Sequence, residues 1–156
     1  MDIKTIAVIL FGILLLVLLA IRVITSHMRH PHTLASFDDM SGEEFEDFCA
    51  RLLVRAGFKE VETTPGSHDY GIDILALRDG ITYGIQCKCY SDTVGIKAVQ
   101  EAYAGKDYYD CMVGVVMTNQ YMSGPAIDFA RKLNVLLWDG DYIEEMAEKA
   151  MSPAGS

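Results

Sequence analysis

Between Ile6 and Ile21 the chain carries no charged residue. With Val23 and Ile24 the apolar stretch reaches roughly 20 residues, the length of a helix that crosses a bilayer core. It is long for the apolar core of a cleaved signal peptide, and Arg22–Ser26 offers no small-x-small cleavage motif. Arg22 and Arg29 follow the stretch, whereas Lys4 before it is offset by Asp2. That asymmetry predicts a single-pass membrane protein with its C-terminal domain in the cytoplasm. The expected organisation is an anchor over 1–25, a polar juxtamembrane linker over 26–39, a folded domain over 40–150 and a flexible tail over 151–156.

Beyond the linker the pattern changes from continuous to periodic. Ser41 with Glu44 three positions on is a capping box. Phe45, Phe48, Cys49, Leu52 and Ala56 then recur at helical spacing until Gly57 ends the run. A strand fits Lys59–Thr63, followed by a turn at Pro65, Gly66 and Ser67. Ile72–Leu77 and Ile81–Cys89 form two strands joined by Asp79-Gly80, a strong hairpin signal. Val94–Tyr108 reads as a helix. Cys111–Met117 is continuously apolar, as a strand covered on both faces would be. A helix over Ser123–Leu133, a short strand over Val135–Trp138 and a helix over Tyr142–Met151 complete the order α-β-β-β-α-β-α-β-α.

Charge and cysteine content narrow the picture. The formal net charge is −9, the wrong sign for a protein that holds nucleic acid through a standing basic face. A bound divalent cation inverts the local field at a site, so an acidic chain is not excluded from phosphate chemistry. Cys49, Cys87, Cys89 and Cys111 lie in apolar segments without the dense spacing of a secreted disulfide scaffold. Free thiols in a reducing compartment are expected. Cys87-x-Cys89 has no second pair at zinc spacing.

The candidate chemistry sits on the hairpin. Side chains alternate along a strand, so Gln86 and Lys88 share one face and Cys87 and Cys89 the other. Folding at Asp79-Gly80 brings Asp73 near Gln86 and Lys88. A carboxylate and an amide oxygen suit a hard cation such as Mg²⁺, with Mn²⁺ as an alternative, and a nearby ammonium suits charge developing on a phosphate.

Asp73 followed by Gln86-x-Lys88 resembles the core of the PD-(D/E)XK nuclease superfamily, and more specifically the Mrr-type restriction endonuclease family. Phe45-Glu46, Ala56-Gly57-Phe58, the stretch His68-Asp69-Tyr70-Gly71-Ile72-Asp73-Ile74, Gln86-Cys87-Lys88-Cys89-Tyr90, Val99-Gln100-Glu101 and Val113–Asn119 follow in the family's order over roughly residues 40–146. The resemblance implies an α/β, restriction-endonuclease-like mixed β-sheet flanked by helices, here preceded by one transmembrane helix. It implies Asp73 as principal metal ligand, Gln86 at the position that is acidic in most of the superfamily, Lys88 as the catalytic lysine and Glu46 as a supporting acid. Tyr70 departs from the family, where Gly is common. The implied activity is cleavage of DNA, with a homodimer needed for double-strand cleavage.

Plainer readings stand beside these. Lys88 would otherwise form a structural ion pair with Asp73 or Glu46, and Glu46 would be one more acid favoured near a helix N-terminus. Thr118-Asn119 either contacts DNA or ends a strand. Tyr90, Tyr103, Tyr108 and Tyr109 either stack on bases or pack in the core. The alternative functions are a nuclease fold that binds DNA without cutting it and a membrane-tethered interaction module.

Overall fold

The computed structural model describes residues 12–14, 16–18, 39–65 and 70–151. Contacts divide the chain into two units, Met1–Thr33 and Leu34–Ser156. Most of the anticipated anchor over 1–25, nearly all of the linker and most of the tail lie outside the described residues. The fragments 12–14 and 16–18 are helical. No helix among the described residues is long and apolar enough to cross a membrane.

The second unit has the element order read from the sequence. Helix α1 (Gly42–Arg55) starts at the anticipated capping box: the Ser41 hydroxyl accepts from the Glu44 amide (3.3 Å), and the Glu44 carboxylate accepts from the Ser41 amide (2.8 Å). These bonds satisfy two donors that a helix start leaves open. Strands β1 (Lys59–Thr63), β2 (Ile74–Arg78) and β3 (Ile81–Lys88) follow as an antiparallel meander. The β2–β3 turn is Asp79-Gly80, both at positive φ (53° and 79°), as a type I′ hairpin requires. Helix α2 (Ile96–Tyr108) leads to β4 (Val113–Thr118), helix α3 (Gly124–Leu133) to β5 (Leu136–Trp138), and α4 (Gly140–Met151) ends the fold. Strands β3, β4 and β5 run parallel, and the sheet order is β1-β2-β3-β4-β5.

Several boundaries differ from the expected ones for local reasons. Val94 forms an isolated bridge to Met122, so α2 begins after it, at Ile96. Ser123 caps α3 from outside, its hydroxyl accepting from the Ala126 amide (3.4 Å). Strand β2 starts at Ile74 rather than Ile72, because Tyr70 and Gly71 both take positive φ (46° and 83°) and turn the chain into the sheet.

Each face of the sheet carries one apolar cluster. On one side Phe45, Cys49 and Leu53 of α1 and Ile143 of α4 pack on Ile74, Ile85, Cys87, Val115 and Met117. On the other, Val99 and Ala102 of α2 and Ala126 of α3 pack around Val116. Strand β4 thus contributes Val115 and Met117 to one side and Val116 to the other, which explains its unbroken apolar run. All four cysteines are free, and Cys87 packs on the face turned away from Lys88, both as expected.

Candidate active site

Asp73 precedes the first residue of β2 and is held by its backbone from both sides. Its amide donates to the Ile85 carbonyl (2.8 Å), and its carbonyl accepts from the Thr64 amide (2.9 Å). Strand β3 runs on past the start of β2. On that side the Cys87 amide has no strand partner in β2 and donates instead to Asp73 Oδ2 (2.6 Å). The Gln86 side-chain amide donates to the same oxygen and also lies 3.2 Å from the Cys87 carbonyl. Asp73 and Gln86 are almost fully buried. A buried carboxylate is costly unless hydrogen-bonded, and here it accepts from two donors of one strand. The hairpin therefore brings Asp73 and Gln86 into direct contact, as the alternation along β3 predicted.

Lys88 leaves β3 on the same face as Gln86. Its ammonium lies 3.0 Å from Glu101 Oε2 on α2, and the other oxygen of that carboxylate lies 3.5 Å from Lys97. Burial pushes the Lys88 pKa down, but the contact with Glu101, with smaller contributions from Tyr90 and Asp73, outweighs it. The net effect lies above the ordinary lysine value. The close ion pair is thus made with Glu101, a partner that the sequence reading did not name for it. A signal for Glu101 existed. Ala98, Val99, Ala102 and Gly105 are the buried positions of α2, and residue 101 lies beside that stripe, three and four positions from Ala98 and Gly105. A carboxylate there needs a buried counter-charge.

Glu46 stands differently. It is half-buried on α1, which packs against the face that carries Cys87, opposite Gln86 and Lys88. The start of α1 is tied to the end of β3 by the Cys89 thiol, which donates to the Met40 carbonyl (3.3 Å). The helix that carries Glu46 is thereby joined to the end of the sheet that bears Lys88. The Glu46 charge adds a small part to the upward shift of the Cys87 thiol, which arises mainly from a hydrogen bond with Cys49 and from burial. Asp69 lies outside the described residues.

Asn119 follows the last residue of β4. It is buried and clamps the chain just past Lys88, accepting from the Tyr90 amide (2.9 Å) and donating to the Tyr90 carbonyl (2.8 Å). Thr118 is buried too, and its hydroxyl accepts from the Gln120 amide (3.2 Å). Tyr90, Tyr103 and Tyr108 are exposed rather than packed in the core, and Tyr70 stacks on Tyr108 with ring centroids 3.9 Å apart.

Among the described residues no three His, Cys, Asp or Glu side chains form a metal-holding group. The oxygen donors at the centre are one carboxylate and one amide. Such a set fits a hard cation that keeps several waters, and does not fit a cation that requires a closed protein cage.

Comparison with known proteins agrees with this geometry. A family model described as a restriction endonuclease, the Mrr catalytic domain, matches residues 37–147. No curated protein matches the chain. Among solved structures, a protein of unknown function, AF1548, is 26% identical with a TM-score of 0.58, over 67% of this chain and 64% of that one. The DNA modification-dependent restriction endonuclease AspBHI is 20% identical with a TM-score of 0.52, over 68% of this chain and 30% of that one. The restriction endonuclease MspJI, solved in complex with a 27-mer oligonucleotide, is 20% identical with a TM-score of 0.51, over 65% and 26%. The chain spans 64% of the first of these and 30% or less of the two enzymes. At this identity the two enzymes attest the fold.

Proposed function

The chain belongs to the Mrr-type restriction endonuclease family, and from that premise we propose that it is a membrane-anchored, divalent-metal-dependent DNA endonuclease. It would hydrolyse phosphodiester bonds in restriction of foreign or modified DNA. The observation that carries this reading is the buried contact of Asp73 with Gln86 on the sheet face from which Lys88 emerges.

Asp73 and Gln86 would hold the metal, with Mg²⁺ the first expectation and Mn²⁺ a substitute. When bound, such an ion polarises a phosphoryl oxygen and lowers the pKa of a coordinated water. The chain's own part is positioning and charge. Asp73 is fixed through its amide, its carbonyl and one carboxylate oxygen, so it needs no reorganisation before the reaction. Lys88 stays an ammonium at neutral pH. Its role is to answer the negative charge that builds on the phosphate or to give a proton to the leaving oxygen, not to act as a base. Glu46 would contribute through its charge.

The uncharged run from Ile6 to Ile21 supports the anchor, with the nuclease domain on the cytoplasmic side. One such centre cuts one strand, so double-strand cleavage would need two copies of the chain. The net charge of −9 favours one second reading, a nuclease fold that contacts DNA or a partner without cutting.

The test uses the full chain in detergent with supercoiled and linear plasmid, methylated and unmethylated, and Mg²⁺ or Mn²⁺. Nicking or linearisation by the wild type, lost in Lys88→Ala and Asp73→Ala while both variants stay folded, supports the nuclease. Intact plasmid under every condition, with a folded protein, favours the binding module.

A further inference from the structure

Glu101 is the least expected polar group near the centre. Its Oε2 is fully enclosed and accepts no aligned hydrogen bond, and its nearest cation is the Lys88 ammonium at 3.0 Å. Lys97 also approaches the carboxylate, at 3.5 Å, but its side chain is 86% exposed. An exposed pair of this kind contributes little and does not account for the enclosed Oε2. Enclosing one oxygen of a carboxylate beside a helix stripe that includes Ala98, Ala102 and Gly105 is unfavourable unless the charge is used.

The backbone of the same residue is fixed as well. A Cβ built on Gly71 would lie 2.7 Å from the Glu101 carbonyl oxygen, so α2 presses on the segment that leads into Asp73 at residue 101 itself. One turn along, a Cβ on Gly105 would lie 2.5 Å from the Tyr70 carbonyl oxygen. Main chain and side chain of Glu101 thus touch the two halves of the candidate centre. The first braces the approach to Asp73, and the second holds the end of Lys88.

We infer that Glu101 is a positioning residue, whose carboxylate fixes the Lys88 ammonium in register with the Asp73–Gln86 pair. This rests on the nuclease reading above and deepens it. A lysine has four flexible side-chain bonds, and ordering it costs conformational entropy. A fixed carboxylate meets that cost before substrate arrives. Without it the ammonium explores other rotamers, and misplacement of about 1 Å lowers rates by about a hundredfold.

The experiment compares initial nicking rates of the full chain in detergent across DNA concentrations, together with thermal unfolding. The proteins are wild type, Glu101→Gln, Glu101→Asp and Lys97→Ala. The expected result is a fall in kcat of about ten- to a hundredfold for Glu101→Gln, with KM and the unfolding midpoint close to wild type. Glu101→Asp recovers part of the loss, and Lys97→Ala cleaves as wild type does. Wild-type kcat in Glu101→Gln overturns the inference while leaving the nuclease intact. So does a loss that tracks the unfolding midpoint, or an equal loss in Lys97→Ala. A folded wild type that cuts nothing removes the nuclease reading and this inference together.

Discussion

Gly105→Ala inverts a general rule. Replacing glycine by alanine inside a helix ordinarily stabilises it by about 1 kcal/mol, because alanine has less backbone freedom to lose. Gly105 lies inside α2, yet a Cβ there would meet the Tyr70 carbonyl oxygen at 2.5 Å, Ile72 Cγ1 at 2.7 Å and the Gly71 carbonyl carbon at 3.1 Å. Two of the three atoms are backbone, and Ile72 is fully buried, so the helix must move away. Overpacking of this kind costs about 1–3 kcal/mol. Set against the ordinary gain, the balance is a destabilisation of about 1 kcal/mol, or a fall of about 3–8 °C in unfolding midpoint for a domain of this size. The displaced segment leads directly into Asp73, and the displaced helix carries Glu101. Nicking should therefore fall by more than the lost stability implies. Gly42→Ala is the control, since nothing lies within 4 Å of its Cβ position at the start of α1. Circular dichroism melts beside plasmid nicking decide the matter. A Gly105→Ala protein that melts higher than wild type and cuts equally well would refute the close packing of α2 on residues 70–72.

The other expectations concern the clamp, the ion pair and the thiols. Asn119→Ala removes both hydrogen bonds to the Tyr90 backbone and should cost about 2 kcal/mol in urea unfolding; a change within error would show that water replaces the clamp. The folded-state pKa of Lys88 is raised, so its stabilisation is complete below the unfolded-state value of about 10.4 and is lost as pH rises through the folded-state value. The difference in urea midpoint between wild type and Lys88→Met should accordingly stay constant from neutral pH to about 10 and change only above that, and a change between pH 6 and 9 would contradict it. Cys87 is buried and its thiol is pushed well up by its bond with Cys49 and by burial, so it should resist a disulfide reagent such as DTNB at pH 8 until the domain unfolds. Rapid labelling of Cys87 in the folded protein would show that the core opens there.

What the sequence made legible was mostly local. Asp79-Gly80 announced the hairpin because few other pairs accept two successive positive φ angles, and that one turn carries Asp73 to Gln86. The Ser41–Glu44 box placed the start of α1 to within one residue. Cys111–Met117 read as a strand with both faces covered, and β4 supplies both apolar clusters. Less visible was which face of the sheet each helix would cover. Helical spacing groups Phe45 with Cys49 but does not say that α1 packs beneath Cys87, on the face turned away from Gln86 and Lys88. The Lys88–Glu101 pair was hidden for a similar reason. It joins a strand to the helix that returns over it, and the pairing depends on the rotation of α2. The start of β2 was hidden because Tyr70, a non-glycine residue, joins Gly71 at positive φ and delays the strand to Ile74.

The polar content of the centre is itself an argument about purpose. Both faces of the sheet are otherwise filled with aliphatic, aromatic and sulfur-bearing side chains. Well-packed apolar residues in place of a buried ion pair usually leave a protein as stable or more so. Yet at one end of β2 and β3 the fold accepts a carboxylate, an amide, an ammonium and a second carboxylate within a few residues' reach. At the other end of the same strands, Arg78 lies across the Phe58 ring and its ion pair with Asp79 is solvent-exposed. The two ends share sheet, strand pairing and layers, so the fold alone does not demand the contrast. Departures from a locally stable solution concentrate where a molecule does chemistry, and here they coincide with Asp73, Gln86 and Lys88.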